Sequence, residues 1–247
     1  MTPTHPAILA AGAVALLALA ALPAHAGVSA NGRPLKVAAK LDCPAFEGRL
    51  TRVAQASDGQ SCDYQGRDGD TVRLSLTPLR GHTPSEALAP LRNDLHALVP
   101  VYRKPTPVSY SDDDGDRADV DLPFLHVHAV GDDADVRLFG IHIHDHDHGA
   151  NTDVSVDHGH KRSVVHAGMR GAEVVADDVG RSNVSLVYVL AANHRTSSGL
   201  RAAGYVAKGP VTGPLVVAEF RSPVNTHRDN SGGHDDIDRL IDRNLER

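Results

Sequence analysis

The sequence predicts a mainly β protein with a small α+β unit at its N-terminal end and, after it, a β domain that is solenoid-like or a sandwich. Three observations predict this. β-type runs punctuated by Asp-Gly turns fill residues 49–77, a single well-capped helix follows, and an internal repeat of 16 residues starts at Ala118.

The first element is not part of the fold. Ala7 to Leu22 is an apolar run of 16 residues, followed by Pro23 and Ala24-His25-Ala26. This is the pattern of a secretory signal peptide cut after Ala26. The run is short for a spanning helix, which needs ~20 residues. An uncleaved membrane anchor is the alternative, because no Lys or Arg precedes the run. The expected location is therefore periplasmic or extracellular. The leader carries no charged side chain, so the mature chain keeps the full formal charge of −6. That balance offers no basic patch for nucleic acid.

Cys43 and Cys62 are the only two cysteines. An even pair in an oxidising compartment predicts a disulfide. Closing a loop of about 20 residues would stabilise the fold by ~3 kcal/mol in the chain-entropy picture. The meander expected next does not set the two residues opposite each other, so Pro44 has to turn the chain back.

Residues 49–77 read as three strands, "RLTRVAQA", "SCDYQ" and "TVRLSL", with Asp58-Gly59 and Asp68-Gly69 as hairpin turns. Thr83-Pro84-Ser85-Glu86 is a capping box with proline at the first helical position. Leu88, Leu91, Leu95 and Leu98 form one apolar stripe before Pro100 ends the helix. The result is a β-β-β-α unit over 41–100. The stretch 101–117, rich in Pro, Ser and Asp, reads as a linker. Its "SDDDGD" lacks the first-position oxygen ligand and the twelfth-position Glu of an EF-hand.

From Ala118, "ADVDLPFLHVH" (118–128) aligns without gaps on "ADVRLFGIHIH" (134–144), with six of eleven positions identical. A weaker echo is "TDVSVDHGH" at 152–160. Such repeats suit stacked solenoid-like rungs or a doubled hairpin. Three further strands, "SNVSLVYVLAA", "LRAAGYVAKG" and "LVVAEFRS", complete a β domain over 118–222. A Gly232-Gly233 hinge then precedes an amphipathic helix in the tail 223–247, with Ile237, Leu240, Ile241 and Leu245 on one face. That helix docks either on its own domain or on an envelope or protein partner. The chain thus divides into a signal peptide (1–26), a linker (27–40), the disulfide-linked unit (41–100), a second linker (101–117), the β domain and the tail.

The candidate site is the histidine cluster. Nine of the 16 histidines lie between 126 and 166: His126, His128, His142, His144, His146, His148, His158, His160 and His166. In a strand, His126 and His128 fall on the face opposite Leu125 and Val127, as do His142 and His144 opposite Ile141 and Ile143. Stacked as neighbouring in-register rungs, the two copies would set His126 beside His142 and His128 beside His144. Three or four nitrogens would then be in reach of one Zn²⁺, Cu²⁺ or Ni²⁺. A hairpin turning at Gly131–Ala134 would instead set His126 opposite Phe139 and His128 opposite Arg137, breaking the quartet. The "DHDHG" stretch beyond His144 reads as an exposed loop. Asp145, Asp147, Asp153 and Asp157 are further oxygen ligands or partners that orient imidazoles. The competing reading is a polar, titratable face, because protonating the histidines would reverse the sign of the net charge.

Catalytic patterns find little support. Neither register of the histidines satisfies the His-x-His-x-Asp-His spacing of metallo-β-lactamases. Nucleotide-binding glycine loops and the Gly-x-Ser-x-Gly elbow are absent from the sequence. "LHVHAVGD" (125–132) and "RSVVHAG" (162–168) resemble the copper-ligand strands of the copper/zinc superoxide dismutase family. That resemblance implies an exported β-sandwich enzyme binding copper through His126, His128 and His166, with His142 or His144 in the bridging place. The two strands lie closer together in the chain than in that family, and the disulfide lies elsewhere. The repeated rungs over 118–160 are also similar to adhesin-type β-repeat proteins of bacterial envelopes, which implies an extracytoplasmic β-solenoid or sandwich. Taken together, the sequence points to an exported non-enzymatic envelope protein holding Zn or Cu on a histidine-rich β face. A structural or adhesive β module without metal, or a dismutase-like enzyme, are the alternatives.

Overall fold

The computed structural model describes residues 34–66, 68–101, the strands between 117 and 145, and residues 151–158, 160–168, 170–223 and 232–246; over 117–158 it describes the backbone and its register. The leader, most of the 101–117 linker, the "SDDDGD" stretch, His146, His148 and Asp147 lie outside the described residues. No described helix is long and apolar enough to cross a membrane.

Five strands open the fold: β1 (Lys36–Val37), β2 (Phe46–Glu47), β3 (Leu50–Gln55), β4 (Ser61–Gln65) and β5 (Thr71–Thr77). They are followed by α1 (Pro84–Leu98) and then by β6 (Arg117–Leu122), β7 (Leu125–Val130), β8 (Asp133–Leu138) and β9 (Ile141–Asp145). The chain continues through β10 (Asn151–His158), β11 (Lys161–Gly168), β12 (Gly171–Val179), β13 (Asn183–Ala192), β14 (Ala202–Pro210) and β15 (Leu215–Ser222). It ends in α2 (Gly232–Arg243) and β16 (Leu245–Glu246). The fold is mainly β, as expected.

Ten strands form one antiparallel sheet in the order β10-β11-β12-β13-β14-β15-β5-β4-β3-β2. The N-terminal meander does not stand apart as a separate α+β unit. β5 is ladder-paired to β15, Leu74 opposite Ala218 and Val72 opposite Phe220. The expected division between 41–100 and 118–222 is therefore bridged by backbone hydrogen bonds. It is also bridged by one hydrophobic cluster that joins Cys62, Tyr64 and Leu74 to Val189, Val206 and Val216.

Both faces of the sheet's centre are covered, which explains why β13 is apolar without alternation. Val187, Val189 and Ala191 pack on the side of α2, with Ile237, Leu240 and Ile241. Leu186, Tyr188 and Leu190 pack on the opposite side with Leu88 and Leu95 of α1. The expected capping box is present: Thr83 Oγ1 accepts from the Glu86 N–H at 3.3 Å, and the Glu86 carboxylate accepts from the Thr83 N–H at 2.9 Å. The C-terminal helix docks on its own fold. Asn244 at its end accepts from the Asp42 N–H at 2.7 Å and donates to the Asp42 carbonyl at 3.2 Å. Leu245, expected on the helix face, lies in β16, which pairs with β1.

The disulfide Cys43–Cys62 is formed, with Cα atoms 6.4 Å apart. The chain does turn back after Pro44: β2 pairs with β3 at the edge of the sheet, while Cys43 is buried in the core against Cys62 of β4. Tyr64 anchors that turn by donating to the Pro44 carbonyl at 3.2 Å. Burial pushes the Tyr64 hydroxyl up to about 12, so it serves as a donor at neutral pH.

The repeat forms a second, four-stranded antiparallel sheet in the order β6-β7-β8-β9. Each copy is one hairpin, β6 with β7 and β8 with β9. Of the two expected geometries, neighbouring rungs are overturned: β8 lies between the histidine strands β7 and β9. The hairpin register is corrected as well. Val130 pairs with Asp133, so the connection between β7 and β8 is two residues long, the shortest common hairpin length. His126 therefore pairs with Arg137 and not with Phe139, and His128 with Asp135. The echo at 152–160 does not extend this sheet; its strand β10 pairs with β11.

Candidate functional site on the histidine rows

Register across β6–β9 sorts the repeat into cross-strand rows. One row runs Asp121, His126, Arg137, His142 and the next runs Asp119, His128, Asp135, His144. Directly paired residues share a face, and alternate residues on a strand share it too. All four strand histidines thus belong to one face. The opposite face carries the rows Leu122, Leu125, Leu138, Ile141 and Val120, Val127, Val136, Ile143. The alternation seen in the sequence is thus realised as one aliphatic and one histidine–aspartate face.

The expected direct neighbourhood of His126 with His142 is replaced by a spacing of two strands, roughly 9.6 Å at ~4.8 Å per strand. The intervening positions differ in charge: Arg137 in one row and Asp135 in the other. An imidazole places a metal several Å from its own backbone, so two histidines at this separation can still serve one ion with the residue between them. A carboxylate in the middle favours that arrangement and a guanidinium opposes it.

The other candidate histidines are distributed elsewhere. His158 pairs with Lys161 at the β10–β11 turn. His160 is exposed, with Nε2 3.2 Å from Asp178 Oδ1. Its partner Asp178 lines a groove of about 260 Å³ on the α2 side of the sheet. Ser163, Ala176, Val187 and Val206 line it, and Lys208 on its rim is bonded to Asp238 at 2.9 Å. His166, in β11, is register-paired with Asp153 and Glu173 in the ten-stranded sheet, not with the four strand histidines. The two segments that resemble dismutase ligand strands therefore belong to different sheets. Among the residues whose side chains are described, which leaves out 117–158, no three His, Cys, Asp or Glu form a group able to hold a metal ion.

Two polar clusters were invisible in the sequence. Under α1, Arg92 lies over the Tyr188 ring, 5.2 Å from its centroid, and donates to the Tyr205 hydroxyl at 3.3 Å. The two rings are a cross-strand pair with centroids 5.6 Å apart. Burial drives both hydroxyls above the ordinary tyrosine range, for Tyr188 with help from the Glu173 carboxylate. Burial also raises Asp177, against the pull of Arg92 and Arg162. Tyrosines held neutral in this way are poor proton-transfer groups near pH 7. The cluster pins α1 to the sheet.

The second cluster fastens α2. Glu47 accepts from Arg239 Nε at 2.9 Å and from Arg243 Nη2 at 3.0 Å. Burial works against the Glu47 charge, but the hydrogen bonds from Arg243 and Arg239 outweigh it and hold the pKa below its ordinary value. Arg239 also bonds Asp236, whose Oδ2 accepts from the Arg49 N–H at 2.9 Å. Arg239 thus bridges Asp236 of its own helix and Glu47 of β2. Gly48 has φ +55°, and a Cβ there would overlap the Asp236 carboxylate, so glycine is required at this close approach.

Comparison with protein-family models, curated proteins and solved structures finds no match for this chain. The class that fold and register define is thus a mainly antiparallel β protein with one disulfide and a histidine-bearing second sheet.

Proposed function

We propose that this is an exported, non-enzymatic envelope protein that holds a divalent metal ion, Zn²⁺, Cu²⁺ or Ni²⁺, on the histidine face of the β6–β9 sheet. The observation that carries the reading is the register, which gathers His126, His128, His142 and His144 on one face in two adjacent rows. The apolar leader and the disulfide support an oxidising extracytoplasmic compartment. The aliphatic opposite face supplies a packing surface, so the histidines are not needed for a core.

The test is metal content after gentle, tag-free purification. The protein is expected to carry stoichiometric metal, and a His142→Ala/His144→Ala variant to lose it. Unchanged content in that variant would count against this face as the site, and a metal-free wild type that also fails to take up added Zn²⁺ would leave a structural β module instead.

A further inference from the structure

We infer that one cation per chain is seated on the row His128, Asp135, His144, and that Arg137 keeps the adjacent row His126, Arg137, His142 unoccupied. This rests on the metal reading above and assigns its row, its stoichiometry and the class of ion.

His128 and His144 are the same position in the two copies, as are Asp119 and Asp135. Translation by 16 residues, followed by pairing of the two hairpins, inserts the second copy's aspartate between the two histidines. The first copy's aspartate, Asp119, pairs with His128 on its outer side. At roughly three strand spacings from His144, Asp119 is too far away to share the same ion.

The neighbouring row departs from this pattern at one residue. The position equivalent to Asp121 in the second copy is Arg137. A fixed cation between His126 and His142 repels a divalent ion and supplies no lone pair. Without that exchange the two rows would be equivalent, and two ions would be expected.

The donor set selects the ion class. Two neutral imidazoles and one carboxylate suit borderline divalent ions such as Zn²⁺. Hard Ca²⁺ prefers six to eight oxygens. Soft Cu⁺ lacks thiolates, because both cysteines are consumed in the disulfide.

Titration calorimetry with ZnCl₂ on the tag-free wild type, with CaCl₂ as comparison, tests the assignment. One Zn²⁺ per chain is expected, with no Ca²⁺ binding in the same range. His128→Ala, His144→Ala and Asp135→Asn should each weaken binding at least about tenfold, while His126→Ala should change it less than about threefold. Arg137→Asp, which restores the repeat, should raise the stoichiometry to two. Circular dichroism of each variant separates lost binding from lost folding. The inference is overturned if zinc binds but follows His126 and His142, or follows a His146→Ala/His148→Ala variant. It is equally overturned if Arg137→Asp still binds one ion; except where zinc follows His146 and His148, the reading of a metal on this face survives. A wild type that binds no zinc removes the metal reading itself.

Discussion

The two sheets use the same antiparallel ladder for different ends. In the ten-stranded sheet the central strands are apolar on both faces, because α1 covers one side and α2 the other. In the four-stranded sheet each strand alternates, and the histidines and aspartates are confined to one face. Stability is therefore expected to depend on the first sheet and ion chemistry on the second. Substitutions should separate the two.

The largest loss should follow from opening the core beneath α2. Leu240 is fully buried there, and Leu240→Ala should cost about 2–5 kcal/mol in chemical denaturation, leaving the zinc stoichiometry of the folded fraction unchanged. Next is the disulfide. A Cys43→Ser/Cys62→Ser variant should lose about 3 kcal/mol, read as a shift of the denaturation midpoint relative to the oxidised protein. Thr83→Ala removes the α1 cap and should cost about 1 kcal/mol, measurable as a small drop in melting temperature.

The acid limb gives a directional test. The folded pKa of Glu47 lies below its ordinary value of 4.5. Its contribution is therefore present above that value and is lost as pH falls through the folded pKa. Denaturation at stepped pH should show Glu47→Gln with a shallower loss of stability than wild type in acid, and slopes that coincide would refute the assignment. The smallest effect belongs to the second sheet. In metal-free buffer, His128→Ala/His144→Ala should alter stability by less than about 1 kcal/mol, and a larger drop would mean that the histidine face is structural.

How much was legible in the sequence follows the same division. The capping box, the leucine stripe of α1, the strands of the first meander and the cysteine pair were readable because each signal is local. Asp-Gly turns, a Thr-x-x-Glu cap and β-branched runs act within a few residues. The pairing of β5 with β15 was not readable, because it joins residues more than 130 positions apart and leaves no periodic trace. The Arg92–Tyr188–Tyr205 and Glu47–Arg239–Arg243 clusters were missed for the same reason. β12 (Gly171–Val179) escaped because Glu173, Asp177 and Asp178 dilute its apolar pattern.

The repeat was the clearest long-range signal, yet it did not determine topology. Two copies of strand-turn-strand fit neighbouring rungs and doubled hairpins equally well. The choice rests on whether the 16-residue unit itself contains a turn. Pro123-Phe124 and Phe139-Gly140 stand between the paired strands, and this marks each copy as a hairpin. Once that is seen, the place of Asp135 between two histidines follows from counting.

X-ray absorption at the zinc K-edge of the loaded, tag-free protein addresses the histidine rows most directly. The expected first shell has two imidazole nitrogens at ~2.0–2.1 Å, completed by oxygen at ~2.0–2.2 Å. A shell of four imidazoles, or one of oxygen alone, would contradict the donor row built on Asp135.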